Sequence, residues 1–433
     1  MAVVTPITTD PASPPPPSPP DPSPDHSPAP AYLLVFADFM GLGTIMPLLP
    51  FFLEDTEDAV FWLGAIMSCQ ALGVVCGIVI MGIMSDRFGR KRMGAITMFG
   101  DSTMFLLSGL MKTPLSLLIC RFVAGLFCPI PVAMSWLIDI SPTSNPELRT
   151  KRIGKATGAI MGGMFFGFVL SGLLGQFFNW TVALMAPTAV AGAVGIYVAL
   201  FARAPPRCDK GAKPSPSPVT KTRRWRCVFL VMVGIGCCTG HYTAVPMSMF
   251  VRKHEMSPAG IAGFNAGCIF LMIISNVLIF PWSMRVLGDS KMMALYCTGG
   301  GVALGTAYFS EGNLGQFFLH TMPAFMFIMS CLPAGQLIAG NLSSAKAPGA
   351  TGLVQGLTRA GMDIGKMIAP IISSSIYGEG DGSPWAYAWV GAALCIGGIV
   401  FALLGEAEED FKTRDEKKEE EEEGGGGGDN EAL

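Results

Sequence analysis

The chain is short of charge. Asp, Glu, Lys and Arg supply 14% of its 433 residues, against roughly 25% in ordinary soluble domains. A soluble protein of this size needs more charge to cover its surface, whereas lipid can cover an apolar one. Hydrophobic residues make up 51%, and the mean hydropathy is +0.48. Several chemistries are also missing. The 12 cysteines form no C-x-x-C and no Cys/His set with zinc spacing, so neither a metal nor a cofactor is expected. Most cysteines, such as Cys69, Cys76, Cys120, Cys268 and Cys395, stand inside apolar runs and read as small packing residues. No G-x-x-x-x-G-K-[ST] occurs, so nothing supports ATP-driven pumping by this chain. No nucleophile–base pair marks an enzyme. The basic cluster Arg223-Arg224-Trp225-Arg226 is too short to suggest nucleic-acid binding.

The ends lack the means to fold. The first 30 residues hold 12 prolines and no Lys or Arg. They read as a disordered tail with neither the basic start nor the apolar stretch of a signal peptide. Residues 406–433 carry 13 acidic and 4 basic residues, leaving 25 basic against 19 acidic in the remainder. This acidic tail is too polar to bury a core.

Between the tails run apolar segments of about 20 residues, the length that crosses a bilayer as a helix. They fall near 31–53, 59–82, 93–111, 115–138, 156–176 and 180–202, then near 227–250, 259–283, 291–309, 314–339, 350–377 and 384–405. A longer polar stretch divides them six and six. The expected architecture is an all-α polytopic membrane protein of 12 transmembrane helices in two six-helix pseudo-symmetric halves. The halves span 31–203 and 227–405, joined by a central loop at 204–226. If both termini are cytoplasmic, the segments on that side hold 23 of the 29 Lys and Arg, and the external loops hold only Lys112, Arg252 and Lys253. The positive-inside rule selects that orientation. It does not choose between the plasma membrane and an organelle.

The loop after the second span reads Gly82-Ile83-Met84-Ser85-Asp86-Arg87-Phe88-Gly89-Arg90-Lys91-Arg92. Gly82 and Gly89 suit a tight turn with close backbone approach, and Asp86 suits a helix N-terminus. This segment resembles the G-x-x-x-D-R-x-G-R-[KR]-[KR] signature of the major facilitator superfamily, with every named position filled. The resemblance implies the major facilitator fold, transport by alternating access, and a loop that latches one half to the other. Asp38-x-x-Gly41-x-x-x-x-x-Pro47-x-x-Pro50 resembles the opening span of the tetracycline-efflux-like, drug:proton antiporter branch. Asp101 in span 3 and Arg121-Phe122-Val123-Ala124-Gly125 in span 4 are similar to that branch too. Span 5 departs from its G-x-x-x-G-P-x-x-G-G motif. Gly167, Gly172 and Gly175 remain as small helix-packing residues, but Gly172 stands where the motif has proline. Symport and facilitated transport therefore stay open beside antiport. The later copy of the loop, Arg285 to Lys291, is decayed.

Charges inside a membrane are expensive and usually functional. Apart from histidines they are Asp38, Asp101, Arg121, Arg359, Asp363 and Lys366. Asp38 is the first candidate for proton coupling, with Arg121 as its counter-charge. Desolvation favours a neutral carboxyl and a nearby cation favours the ionised one, so motion could load and release a proton. Arg359, Asp363 and Lys366 share one helix face, where spacings of four and three let Asp363 pair with both bases. The spare positive charge could hold an anionic substrate group. His241 and His320 lie on helices that line the cavity in this family and are candidate proton relays.

The expected function is secondary active transport of a small organic solute, proton-coupled and outward. The expected partners are that substrate, protons and the lipid bilayer, with the chain a monomer and no nucleic acid involved. The alternatives are a facilitator or proton symporter, and a non-transporting membrane scaffold or receptor on a carrier fold.

Overall fold

The computed structural model describes residues 27–141, 146–205, 217–346, 351–378 and 383–404. Most of the expected Pro-rich tail, the acidic tail at 406–433 and residues 206–216 of the central loop lie outside these residues. Among the described residues the regular structure is all helical. In the first half stand α1 (Ala29–Phe52), α2 (Ala59–Phe88), α3 (Arg90–Leu110), α4 (Pro114–Leu126), α5 (Ile130–Asp139), α6 (Pro146–Phe177) and α7 (Trp180–Leu200). After the one-turn α8 (Ser217–Thr220) come α9 (Arg223–Arg252), α10 (Pro258–Ile274), α11 (Phe280–Thr306), α12 (Leu314–Lys346), α13 (Thr351–Tyr377) and α14 (Pro384–Leu404).

Nine of the described helical stretches are long and apolar enough to cross a membrane. The segments expected at 93–111, 291–309 and 350–377 are helical but not among them. In the last, Arg359, Asp363 and Lys366 turn toward the interior; in the first, Asp101 does. Outward faces carry rows of exposed apolar side chains, such as Val79, Ile80 and Ile83 on α2 and Ile396, Ile399 and Leu403 on α14. Patches of that kind are unsustainable in water and ordinary against lipid.

Three local departures have physical causes. Span 4 is two helices, because Pro129 and Pro131 cannot continue α4. The broken backbone at Cys128 borders the central cavity, where irregular structure is tolerated. The second half starts earlier than 227, since the Thr222 side chain caps α9 and the buried Trp225 donates to Thr358 Oγ1 at 3.1 Å. Arg223 to Arg226 are thus the first turn of α9, not loop. The decayed loop copy keeps one device of the intact one. Gly89 has φ 91° and Gly288 has φ 73°, a region that favours glycine.

The two halves pack by one scheme. α1 lies on α6 as α9 lies on α13, and α3 on α7 as α11 on α14. Between halves, α2 meets α13 as α10 meets α6. The closest crossings use glycine. A Cβ on Gly167 would run into Met40 O of α1, and one on Gly236 into Met362 O of α13. Without hydrophobic drive between helices in lipid, such backbone approach is what holds a bundle together.

Candidate functional site

The halves touch most closely at the end opposite the Asp86–Arg90 loop. There a Cβ on Gly64 would be 2.6 Å from Pro370 O, and one on Gly172 2.9 Å from Ala262 Cβ. Pro370 interrupts the bonding of α13, and the next amide, Ile371 N, donates instead to Ser68 Oγ of α2 at 3.2 Å. Gly175 sits against Leu48 and Pro258. Toward the loop end, Cβ atoms on Gly154, Gly158 and Gly356 would meet open space.

Between the halves lies a cavity of about 230 Å³. It gathers Asp38, Asp101 and Arg121 on one wall and Arg359, Asp363 and Lys366 on the other. Asp38, on α1, is half-buried and accepts no hydrogen bond from a described residue. Asp101 is 4% exposed, and its Oδ2 is unpaired. Arg121 is buried beside both acids, close enough for their charges to act on one another. Its Nη2 donates to Ser108 Oγ at 2.6 Å and Met104 O at 3.1 Å, and its guanidinium lies 5.1 Å from the centre of the Phe105 ring. α3 therefore holds the cation that was expected to pair with Asp38.

The opposite wall differs from the expected triad. Lys366 Nζ is 3.8 Å from Asp363 Oδ1, but Arg359 forms no ion pair with Asp363, and its Nε is unpaired. Helical side chains lean toward the N-terminus. Lys366 therefore leans onto Asp363, while Arg359, on the preceding turn, leans away.

The two histidines do not line the cavity. His241 is fully buried and meets Tyr387 of α14 edge-on at 4.6 Å. Its neighbours Gly240 and Tyr242 border the cavity instead. His320 Nε2 hydrogen-bonds Thr306 Oγ1 at 2.9 Å, away from the cavity. Neither ring opens onto the cavity.

Several lining residues carry no charge and escaped the sequence reading. Tyr242 OH donates to Asn265 Oδ1 at 3.2 Å, and Asn265 Nδ2 donates to Ile261 O at 2.8 Å. Gln70 presents a buried, unpaired Oε1. Eight methionines, among them Met46, Met164, Met247 and Met362, supply much of the apolar wall. Methionine adapts to irregular apolar shapes. A lone amide in an apolar span, as at Asn265, is the signal that could have found that pair.

The loop motif forms a charged knot. Arg90 is 8% exposed and donates to Asp86 Oδ1 at 2.6 Å, Asp139 Oδ2 at 2.8 Å and Ser85 Oγ at 2.6 Å. Arg87 and Arg92 are exposed, and Lys91 is half-buried. All three partners of Arg90 among the described residues belong to the first half, so Arg90 braces α2, α3 and α5. A Cβ on Gly82 would meet only Pro131, at 3.9 Å, so that glycine answers no close approach.

The sequence profile of the Major Facilitator Superfamily matches residues 31–332. The tetracycline resistance protein, class H, of Pasteurella multocida is 31% identical over 148 residues, 33% of this chain and 36% of that protein. The chain thus matches about a third of the length of such relatives. A multidrug resistance protein of Proteus mirabilis is 26% identical over 80% of this chain and 88% of its own length. Among solved structures, the POT family transporter PepTSo superposes with a TM-score of 0.68 at 13% identity, covering 88% of this chain and 98% of that one. A bacterial homolog of the human lysosomal transporter Spinster, inward-facing and unoccupied, gives 0.65 at 14% identity, covering 88% and 95%.

Proposed function

The chain belongs to the major facilitator superfamily, a family of transporters rather than enzymes, and we propose that it exports a small organic solute in exchange for protons. The observation that carries this reading is the cavity between the halves, which draws three acids and three bases onto facing walls. Asp38 is the proton carrier. It borders the cavity, and Arg121, which acts on its charge, is held by α3. The substrate has an apolar body, taken by the methionine wall, and an anionic group, taken by Arg359 and Lys366. Movement of one half against the other exposes the cavity to alternate sides. The knot at Arg90 keeps the first half rigid as it turns. The distribution of Lys and Arg supports cytoplasmic termini, with the cavity opening toward that side. Gly172, standing where antiporters of this type have proline, favours a second reading as a symporter or facilitator.

Purified protein in liposomes, offered a panel of amphipathic organic acids with and without a pH gradient, tests this. Transport of at least one compound that quickens with an opposing proton gradient supports export by antiport. Transport that ignores the gradient leaves the facilitator.

A further inference from the structure

The second half holds a row of buried polar groups that the cavity does not use. Glu311 precedes α12 and is 1% exposed. Its Oε2 accepts from Lys253 Nζ at 3.3 Å and Tyr377 OH at 3.4 Å, while Oε1 has no partner among the described residues. Tyr387, at the start of α14, is fully buried, and its hydroxyl is unpaired too. The Glu311 carboxylate is near enough to act on that hydroxyl by charge and by hydrogen bonding, although the pair falls short of a direct bond of good geometry. The Tyr387 ring in turn meets the His241 imidazole edge-on, with centroids 4.6 Å apart. Neither nitrogen of His241 has a partner among the described residues. Three neighbouring buried side chains thus hold four unpaired polar atoms.

An orphaned polar atom loses its hydration and gains no bond in return, and such atoms are rare and scattered in native proteins. Four along one path call for a common explanation. Water supplies it, because ordered water satisfies buried polar groups that the protein leaves unpaired. The residue types also suit proton transfer. A carboxylate accepts, while a phenol hydroxyl and a neutral imidazole each both accept and donate.

We propose that Glu311, Tyr387 and His241 are bridged by water into a proton-conducting thread, entering the second half from the end opposite the Asp86–Arg90 loop and ending at His241. Each hop breaks one O–H or N–H bond and forms another, so one proton moves and nothing else changes. The thread is separate from the Asp38 wall, yet it ends close to the other wall. Gly240, next to His241, packs against α13, where its Cβ would lie 3.2 Å from Lys366 Cα. A proton on His241 therefore stands one layer behind the Arg359–Asp363–Lys366 face. The charged and titratable groups around the thread are Arg252, Lys253 and His254 at the end of α9, Tyr242 within it, Tyr308 before Glu311, Tyr377 on α13, and Lys366.

A role for this proton in transport rests on the proton-coupled reading above; the thread itself does not. The chain has only four histidines, so the full-length protein in lipid nanodiscs can be labelled with ring-¹⁵N histidine and followed by NMR in D₂O. His241→Phe assigns the signal. The His241 ring N–H is expected to exchange with solvent. Tyr387→Phe keeps the ring against His241 and removes only the hydroxyl, and it should slow that exchange roughly tenfold. Glu311→Gln should slow it as well. His320, bonded to Thr306, should keep its rate and serves as the reference. Unchanged exchange in both variants overturns the thread, as does a His241 that never exchanges in the unaltered protein. If Tyr387→Phe does not fold, Glu311→Gln carries the test. No substrate enters the measurement, so an exporter that proved indifferent to pH gradients would still give the expected exchange.

Discussion

Arg90 Nε donates to Asp139 Oδ2 at 2.8 Å, tying the start of α3 to the end of α5. The same guanidinium reaches back to Asp86 on α2. Removing it takes from Asp86 and Asp139 the guanidinium that they share. Arg90→Ala is expected to destabilise the protein by about 2 kcal/mol, less than for a deeply buried pair because Asp86 is partly exposed. Arg90→Lys should recover only part of this, since an ammonium cannot present the two-sided fork. Thermal unfolding in detergent measures both. A melting temperature unchanged in Arg90→Ala would remove the bracing role.

The glycine crossings predict a sharp contrast along one helix. Gly167 on α6 leaves no room for a Cβ beside Met40 O, while a Cβ on Gly154 meets open space. Gly167→Leu should cost more than about 3 kcal/mol, because the clash is with backbone and cannot be relieved by a rotamer. Gly236→Leu, its counterpart in the second half, should behave alike. Gly154→Ala should be neutral or stabilise by up to about 1 kcal/mol through helix propensity. Folded yield by size-exclusion chromatography separates these outcomes.

How far this was legible in the sequence depends on the feature. Apolar length and the Lys/Arg distribution mark out helices that the structure does contain. Pro129 and Pro131 mark the break in span 4, and Thr222 the start of α9. The charge pattern on α13 located a face but not its pairing, because the lean of Arg359 away from Asp363 is a matter of side-chain direction, not spacing. His241 shows the same limit. It lies on a cavity-lining helix, but one position along a helix is a turn of about 100°, and that turn carries its ring to Tyr387. Glu311 falls between two expected spans, and its burial is created by the end of α9, α13 and α14 closing over it.

The two walls of the cavity predict different losses. Arg359→Gln and Lys366→Met each remove a cation from the α13 wall, so affinity for an anionic solute should fall roughly ten- to a hundredfold, as for a lost charge-assisted contact. Neutral analogues of the same solute should lose much less. His320→Phe removes only the bond to Thr306 and should alter stability by about 1 kcal/mol without changing affinity. Equilibrium binding to purified protein reads all three. Equal losses for charged and neutral solutes would mean that α13 shapes the cavity rather than recognises charge.

Asp38→Asn tests the coupling itself. The amide keeps the size and polarity of the carboxyl, so the cavity and the helix crossing at Gly43 should survive. What it loses is the ability to exchange a proton. Uptake driven by a pH gradient into inverted vesicles should therefore fall to background. Exchange of labelled for unlabelled solute at equal pH, which needs no net proton movement, should continue. Asp101→Asn is the contrast. Asp101 is the more deeply buried acid of that wall, beside the Arg121 that α3 holds, so its loss should disturb both assays together by shifting that cation. Gradient-driven uptake that survives in Asp38→Asn would move the proton site elsewhere. Loss of both activities in Asp38→Asn would make Asp38 a substrate ligand instead, because a pure proton carrier is dispensable when no proton is exchanged.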